Sequence, residues 1–196
     1  MLIDNGVKFA IQAEWADLRS LKYPPHKLEE KIRNAIHYYP SDILFIHRDA
    51  ENQTSEKRVY EIQKALRIVL RHVNPPPHVC VVPVRMTETW LLCNEQALRI
   101  ASGNSRGNLS LNLPSLSSLE KLPNPKKRLY ESIKTASELK GRRLRRLPVK
   151  EYAARVAELI EDFSPLRQLS AFKKLEEDII QMISEHGWNR LTEQAN

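Results

Sequence analysis

The sequence is short of glycine and cysteine and contains no long apolar run. Its 196 residues include 5 Gly and 2 Cys, against 12 Pro. None of the glycine-rich patterns that bind nucleotide phosphates or dinucleotides is present. The two cysteines, Cys80 and Cys93, lie in apolar segments and lack the spacing of a metal site or a redox pair. We therefore expect them to be reduced residues of the core.

The absence of a run of about 18 apolar residues argues against a membrane-spanning helix. The first residues also lack the basic and apolar regions of a signal peptide. The sequence therefore predicts a cytoplasmic protein that does not associate with a membrane. Its 31 Lys and Arg exceed its 24 Asp and Glu, which gives a formal net charge of +7. A balance this basic favours a polyanionic partner, and nucleic acid is the first candidate.

Two largely apolar segments, residues 42–47 and 78–84, are typical of strands in a parallel sheet that is buried on both faces. An amphipathic helix near residues 56–72 joins them, and another over residues 26–39 precedes the first. The short helical connection predicts that the two strands are parallel neighbours or next-neighbours. Residues 7–13 alternate apolar and polar side chains, which predicts a further, half-exposed strand.

The rest of the chain is predicted to be helical, except for an ordered loop over residues 104–118. Apolar periodicity predicts a helix from about 88 to 101 and three more near 125–139, 149–162 and 165–186. The predicted fold class is therefore α/β, a small parallel β-sheet flanked by helices, with a helical C-terminal portion. We expect an α/β core over residues 1–118 and a helical extension over residues 119–196 packed on that core.

Ionisable side chains follow both predicted strands at their C-terminal ends. Asp49 and Glu51 come after the first strand, Glu88 comes after the second, and Arg48 and Arg85 stand beside them. Ligands of parallel α/β sheets collect at this edge. Carboxylates that converge there can hold Mg²⁺ while arginines hold phosphate oxygens. The structural alternative is that Asp49 caps a helix and that Glu51 and Glu88 are ordinary surface or helix-terminal carboxylates.

The most basic segment covers residues 140–150 and contains Arg142, Arg143, Arg145 and Arg146. These arginines are candidates for non-specific contact with nucleic-acid phosphates. No aromatic residues are interleaved with them, so base stacking is not indicated. The alternative is a solvated turn between two helices.

Three segments resemble a known group of proteins. They are DILFIHRDAE at residues 42–51, VVPVRMTETWLL at 81–92 and LPNPKKRL at 122–129. Together they look like the Toprim-related proteins, in particular the RloB-like and allied bacterial families that are often encoded beside ATPases in defence loci. The resemblance implies a Toprim-like fold, Mg²⁺ held by Asp49, Glu51 and Glu88, action on nucleic acid and an ATPase as a protein partner.

The sequence departs from that group at its beginning. Toprim-related proteins usually carry an E-G-x-T-E-like turn after their first strand, and no such turn precedes Asp17. Glu14 and Asp17 are the available substitutes. Two functions therefore remain open. The first is a Mg²⁺-dependent nuclease or nuclease-like subunit, with Asp49, Glu51 and Glu88 as its catalytic metal ligands. The second is a non-catalytic nucleic-acid-binding or assembly subunit with a degenerate metal site.

Overall fold

A computed structural model of the chain describes residues 1–190 and shows a mixed α/β protein that is mostly helical. Within these residues there are two strands, β1 (Leu44–His47) and β2 (His78–Val81). The α-helices of the same residues are α1 (Leu28–Tyr38), α2 (Ser55–Val69), α3 (Glu88–Leu91), α4 (Glu95–Ala101), α5 (Leu116–Leu119), α6 (Pro125–Ser137), α7 (Gly141–Arg145), α8 (Val149–Leu159) and α9 (Ser170–Glu185). Short 3-10 turns cover Leu18–Ser20 and Ser164–Gln168. Over the described part of the chain, no helix is long and apolar enough to cross a bilayer.

The chain forms two compact units. Among the described residues, the strand unit contains 1–48, 53–82 and 174–190, and the helical unit contains 49–52 and 83–173. Helix α9 begins in the helical unit and continues into the strand unit. The domain boundary expected after residue 118 stays a prediction, and the last six residues of the expected extension, 191–196, lie outside the described residues.

The two strands of the strand unit form a parallel pair. Leu44 lies opposite His78 and His47 lies opposite Val81, with α2 as the connection between the strands. The prediction that these strands are parallel neighbours is confirmed. Helix α1 packs against α2, whose buried face contains Ile62.

The expectation that β1 is buried on both faces is wrong. Ile46 is 6% exposed, but the neighbouring Phe45 is 41% exposed. Phe45 points to the opposite side of the strand and lines an open apolar groove together with Ile11, Leu175 and Ile179. Val79, the residue opposite Phe45 in β2, is only 2% exposed. The exposure on this face is therefore confined to the β1 side of the small sheet. The second strand is also shorter than expected and ends at Val81.

Residues 7–13 do not form the strand that their alternation predicts. A strand needs a neighbouring strand for its backbone hydrogen bonds. In this segment the N–H of Val7 donates to the carbonyl of Leu2, and the N–H of Lys8 donates to the carbonyl of Trp188. Because these partners belong to a turn and to the chain after α9, the segment remains irregular and Phe9 is exposed.

The single helix expected over residues 88–101 is two helices, α3 and α4. The break falls at residues 92–94. Oδ1 of Asn94 accepts a hydrogen bond from the N–H of Ala97 at 2.9 Å and so caps the start of α4. An asparagine side chain competes for backbone N–H groups and favours a helix start over a helix interior.

The core of the helical unit lies where α4, α6 and α8 pack together, with α3 against α6 and α8. Leu98 of α4, Leu129 and Ile133 of α6 and Val156 of α8 are fully buried. Their spacing within each helix is that of an amphipathic stripe, so the predicted helices near 125–139 and 149–162 are confirmed. The predicted helix near 165–186 begins instead with the 3-10 turn and continues as α9.

Both cysteines are free and half-buried. Burial raises the pKa of the Cys80 thiol above its ordinary value and that of the Cys93 thiol to about 11. Since the thiolate is the reactive form, burial disfavours reaction of both side chains at neutral pH.

Charged side chains fasten the loop that follows α4. Oε1 of Glu138 accepts hydrogen bonds from the backbone N–H of Asn108 and, at 2.9 Å, from that of Leu109. Nη2 of Arg99 donates to the carbonyl of Leu109 at 2.8 Å, and Arg128 donates to two further carbonyls of the loop. Five backbone polar groups of this loop are thus satisfied by side chains from α4 and from α6 and its C-cap.

The loop should loosen at acidic pH. The backbone hydrogen bond from Leu109, together with that from Asn108, lowers the pKa of Glu138 below its ordinary value of 4.5. A lowered pKa means that the stabilisation is complete above pH 4.5 and is lost as the pH falls through the folded-state pKa. We expect the amide NMR signals of Asn108 and Leu109 to titrate together below that pH. In Glu138→Gln they should not titrate, and titration there would contradict the assignment.

Candidate functional site

Two segments of the helical unit lie side by side, residues 49–52 and residues 83–88. The N–H of Ala50 donates to the carbonyl of Pro83 at 3.1 Å, and the N–H of Glu51 donates to the carbonyl of Arg85 at 2.8 Å. Each segment follows one of the two strands in the sequence. The structure therefore brings together the two chain segments in which the sequence predicted a site.

Asp49 joins the two segments through its side chain. Its Oδ1 accepts a hydrogen bond from the backbone N–H of Thr87 at 3.0 Å and one from Oγ1 of Thr87 at 3.3 Å. Thr87 immediately precedes Glu88, the first residue of α3. Asp49 thus accepts hydrogen bonds from the residue that precedes α3. The next helix along the chain, α2, is capped by the side chain of Thr54.

Glu51 and Arg85 both adopt a left-handed backbone conformation, with φ values of 53° and 65°. Residues with a Cβ adopt this region rarely, because the side chain approaches the following carbonyl oxygen. Nη1 of Arg85 also donates to Oδ1 of Asn52 at 3.0 Å. Glu51 and Arg85 are therefore held in this conformation by the backbone hydrogen bond between them and by the side-chain hydrogen bond from Arg85 to Asn52.

Glu88 lies on the same part of the helical unit and is half-buried. Its Oε1 is 4.0 Å from Nζ of Lys126 in α6, at the limit of an ion pair. Over residues 1–190 no three side chains of His, Cys, Asp or Glu are grouped as metal ligands. The full expected set of Asp49, Glu51 and Glu88 is therefore not assembled around one point in the described residues.

Arg48 belongs to the strand unit, where it forms an ion pair with a carboxylate. Its Nη1 lies 3.0 Å from Oε2 of Glu61, which Arg58 also contacts at 3.0 Å. Partial burial opposes ionisation of Glu61, but the hydrogen bond from Arg58 and the charges of both arginines outweigh it and lower its pKa. Arg48 therefore already contacts a carboxylate, which it shares with Arg58, and is a weaker candidate for binding phosphate than an arginine without such a contact.

The four arginines of the basic segment are exposed. Arg142, Arg143 and Arg145 lie in α7, and Arg146 is its C-cap residue. None of these four guanidinium groups forms an ion pair with a carboxylate of the described residues. The helix has no buried residue, so all four side chains extend from the surface of the helical unit.

The positive charge of the protein is concentrated in the helical unit. This unit contains 17 Lys and Arg against 11 Asp and Glu, whereas the rest of the chain contains 14 against 13. Six of the seven excess positive charges therefore belong to the helical unit. Its surface should attract polyanions more strongly than that of the strand unit.

The contacts of Thr87, Asn52 and Lys126 were not predicted from the sequence. Asp49 and Thr87 are 38 residues apart, and Arg85 and Asn52 are 33 apart. No local pattern marks such pairs, because their contact depends on how two loops are placed by the fold. Only the position of Thr87 and Asn52 beside predicted strand ends could have drawn attention to them.

Comparison of the chain with protein-family models, with curated proteins and with solved structures finds no match. The resemblance to Toprim-related proteins stays a prediction. The function must therefore be inferred from the geometry and charge of the chain itself.

Asp49 can be tested as a structural acceptor by comparing two substitutions. We expect Asp49→Ala to lower the free energy of unfolding by about 1–2 kcal/mol, because the N–H of Thr87 loses its acceptor. Asp49→Asn keeps an oxygen in the same place and should cost less than half as much. Urea unfolding measures both values. Equal stability of Asp49→Ala and the wild type would contradict the role of these hydrogen bonds.

Proposed function

We propose that the chain binds nucleic acid through its phosphate backbone, using the exposed arginines around α7. The observation that carries this proposal is the set of four guanidinium groups at Arg142, Arg143, Arg145 and Arg146, which are exposed and have no carboxylate partner in the described residues. A guanidinium group matches the geometry of phosphate oxygens and keeps its charge at any physiological pH. The excess charge of the helical unit supports the same partner.

Other arginines of the helical unit have structural roles that limit their availability. Arg99 pairs with Glu95 at 2.6 Å, and its side chain is 9% exposed. Arg128 donates to loop carbonyls, and Arg85 donates to Asn52. Arginines that are already bonded to other groups of the protein add little to the affinity for phosphate. The cluster around α7 is different, because phosphate binding there does not require an existing ion pair to break.

The affinity for nucleic acid should fall steeply as the salt concentration rises, and the arginines around α7 should contribute part of this salt dependence. We expect replacement of Arg142, Arg143, Arg145 and Arg146 by Ala to reduce the slope of log K against log[salt] for duplex DNA by up to about 3 to 4, since each contacted phosphate contributes about 0.9. Fluorescence anisotropy over a series of salt concentrations measures the slope.

The matched control removes the same charge from the strand unit. Lys57, Lys64, Arg67 and Arg71 are exposed residues on α2 or directly after it. Their replacement by Ala should leave the slope close to that of the wild type. If both quadruple variants change the slope equally, net charge rather than α7 explains binding, and if neither changes it, the arginines around α7 are solvated residues without this function.

A second candidate function is a Mg²⁺-dependent, Toprim-like nuclease. The observation that favours it is the junction of residues 49–52 and 83–88, where the carboxylate of Asp49 contacts the residue before Glu88. Non-glycine residues held in a left-handed conformation, as Glu51 and Arg85 are, cluster at functional sites. Asp49 and Glu88 would hold the cation, which supplies charge stabilisation to a phosphodiester under attack by water.

An ATPase partner and a setting in bacterial defence, which the resemblance to RloB-like proteins implies, belong to this second proposal. The resemblance implies them together with the metal site, whereas the arginines around α7 suffice for binding alone. The metal response of Asp49 therefore separates the nuclease from the binding subunit.

Isothermal titration of Mn²⁺ tests the second candidate. We expect a measurable binding heat for the wild type, with DNA present, and a strong loss of affinity in Asp49→Asn, which removes the charge but keeps the hydrogen-bond acceptor. Asp162→Asn is the control, because Asp162 is an exposed carboxylate of the same unit whose partner is Ser164. Absence of Mn²⁺ binding to the wild type would exclude the nuclease and leave the binding function.

A further inference from the structure

We propose that the nucleic acid bound by the arginines around α7 is a DNA double helix, with α7 placed against phosphates on both sides of its major groove. This inference rests on the proposed binding function and assigns its ligand class. Two observations carry it, the distribution of exposed aromatic side chains and the arc of arginines around α7.

The helical unit offers no exposed aromatic side chain for base stacking. The structure describes every residue of this unit, and its aromatic side chains are either buried, as Trp90 and Phe172 are, or half-buried, as Tyr130, Tyr152 and Phe163 are. Trp90 and Phe172 pack edge to face with ring centroids 5.4 Å apart. Proteins that bind single strands combine a basic surface with aromatic rings on which the splayed bases stack. A basic surface without such rings suits a ligand whose bases remain paired inside a duplex.

The arginines form a continuous arc around α7. With 3.6 residues per turn, extended by one residue to the C-cap Arg146, the order around the helix is Arg145, Arg142, Arg146 and Arg143, over about 160° of the circumference. Leu144 occupies the remaining side, and both Leu144 and Leu147, the residue after the C-cap, are half-buried. The two ends of the arc, Arg145 and Arg143, therefore extend in nearly opposite directions, while Arg142 and Arg146 point away from the protein.

This arrangement fits a ligand with phosphates on two sides of the helix. An α-helix with its side chains is about 10–12 Å in diameter, and the major groove of B-form DNA is about 12 Å wide. Arg145 and Arg143 would each contact one wall of such a groove. A single strand presents one row of phosphates and can engage only part of the arc. Double-stranded RNA has a deep and narrow major groove that does not admit the helix.

The experiment compares three ligands of equal length and the same base sequence: a DNA duplex, single-stranded DNA and an RNA duplex. Affinities are measured by fluorescence anisotropy with the full chain at one salt concentration. We expect the DNA duplex to bind at least about fivefold more tightly than either other ligand, because it alone presents phosphates to Arg143 and Arg145 at the same time, while Arg142 and Arg146 face the groove between them.

Two double variants with equal charge test the geometry. Arg143→Ala with Arg145→Ala removes the ends of the arc and should reduce the preference for the duplex to less than about twofold. Arg142→Ala with Arg146→Ala removes its centre and should weaken all three ligands while the preference remains. A ratio that changes equally in both variants would overturn the assignment of the arc ends to the two groove walls.

The remaining outcomes are distinct from each other. Single-stranded DNA that binds as tightly as the duplex, or more tightly, would overturn the duplex assignment but leave the proposed nucleic-acid binding intact. An RNA duplex that binds as tightly as the DNA duplex would overturn the groove geometry. Failure of all three ligands to bind would overturn the proposed binding function and this inference with it.

Discussion

The hydrogen bonds between residues 49–52 and residues 83–88 are the constraint on which the candidate site depends. The backbone bonds from Ala50 and Glu51 align the two segments, and the carboxylate of Asp49 connects them to the residue before α3. Glu51 and Arg85 keep a backbone conformation that is rare for residues with a Cβ. Such a conformation persists only where the surrounding bonds hold it. The backbone positions of Asp49, Glu51 and Arg85 therefore depend on these hydrogen bonds.

The chain uses its arginines in two ways. Some stabilise the fold, since Arg99 and Arg128 satisfy loop carbonyls and Arg48 forms an ion pair with Glu61. The four arginines around α7 extend from the surface without a carboxylate partner among the described residues. The total net charge does not distinguish these uses. The polyanion-binding proposal depends on the second group, because a guanidinium that already contacts a carboxylate would have to exchange one ionic contact for another.

Three expectations failed because a local pattern does not determine the partners of a segment. The alternation over residues 7–13 is that of a half-exposed strand, but its N–H groups donate to a turn and to the carbonyl of Trp188. The apolar segment around Phe45 suggested a sheet covered on both faces, whereas the described sheet has two strands and leaves Phe45 accessible. The apolar periodicity after residue 88 predicted one helix, whereas the structure has two, because the side chain of Asn94 caps the start of the second.

The sequence by itself determined the amphipathic helices, the parallel pairing of the two strands and the exposure of the basic segment around Arg142 and Arg146. These features follow from helical and strand periodicity and from connection length, which are local properties of the chain. Only the tertiary structure decided that Asp49 binds Thr87, that Glu88 faces Lys126 and that the three expected carboxylates are not grouped as metal ligands within residues 1–190. Contacts between loops that are 38 residues apart depend on strand register and loop backbone conformation, and neither property is encoded in the spacing of residue types.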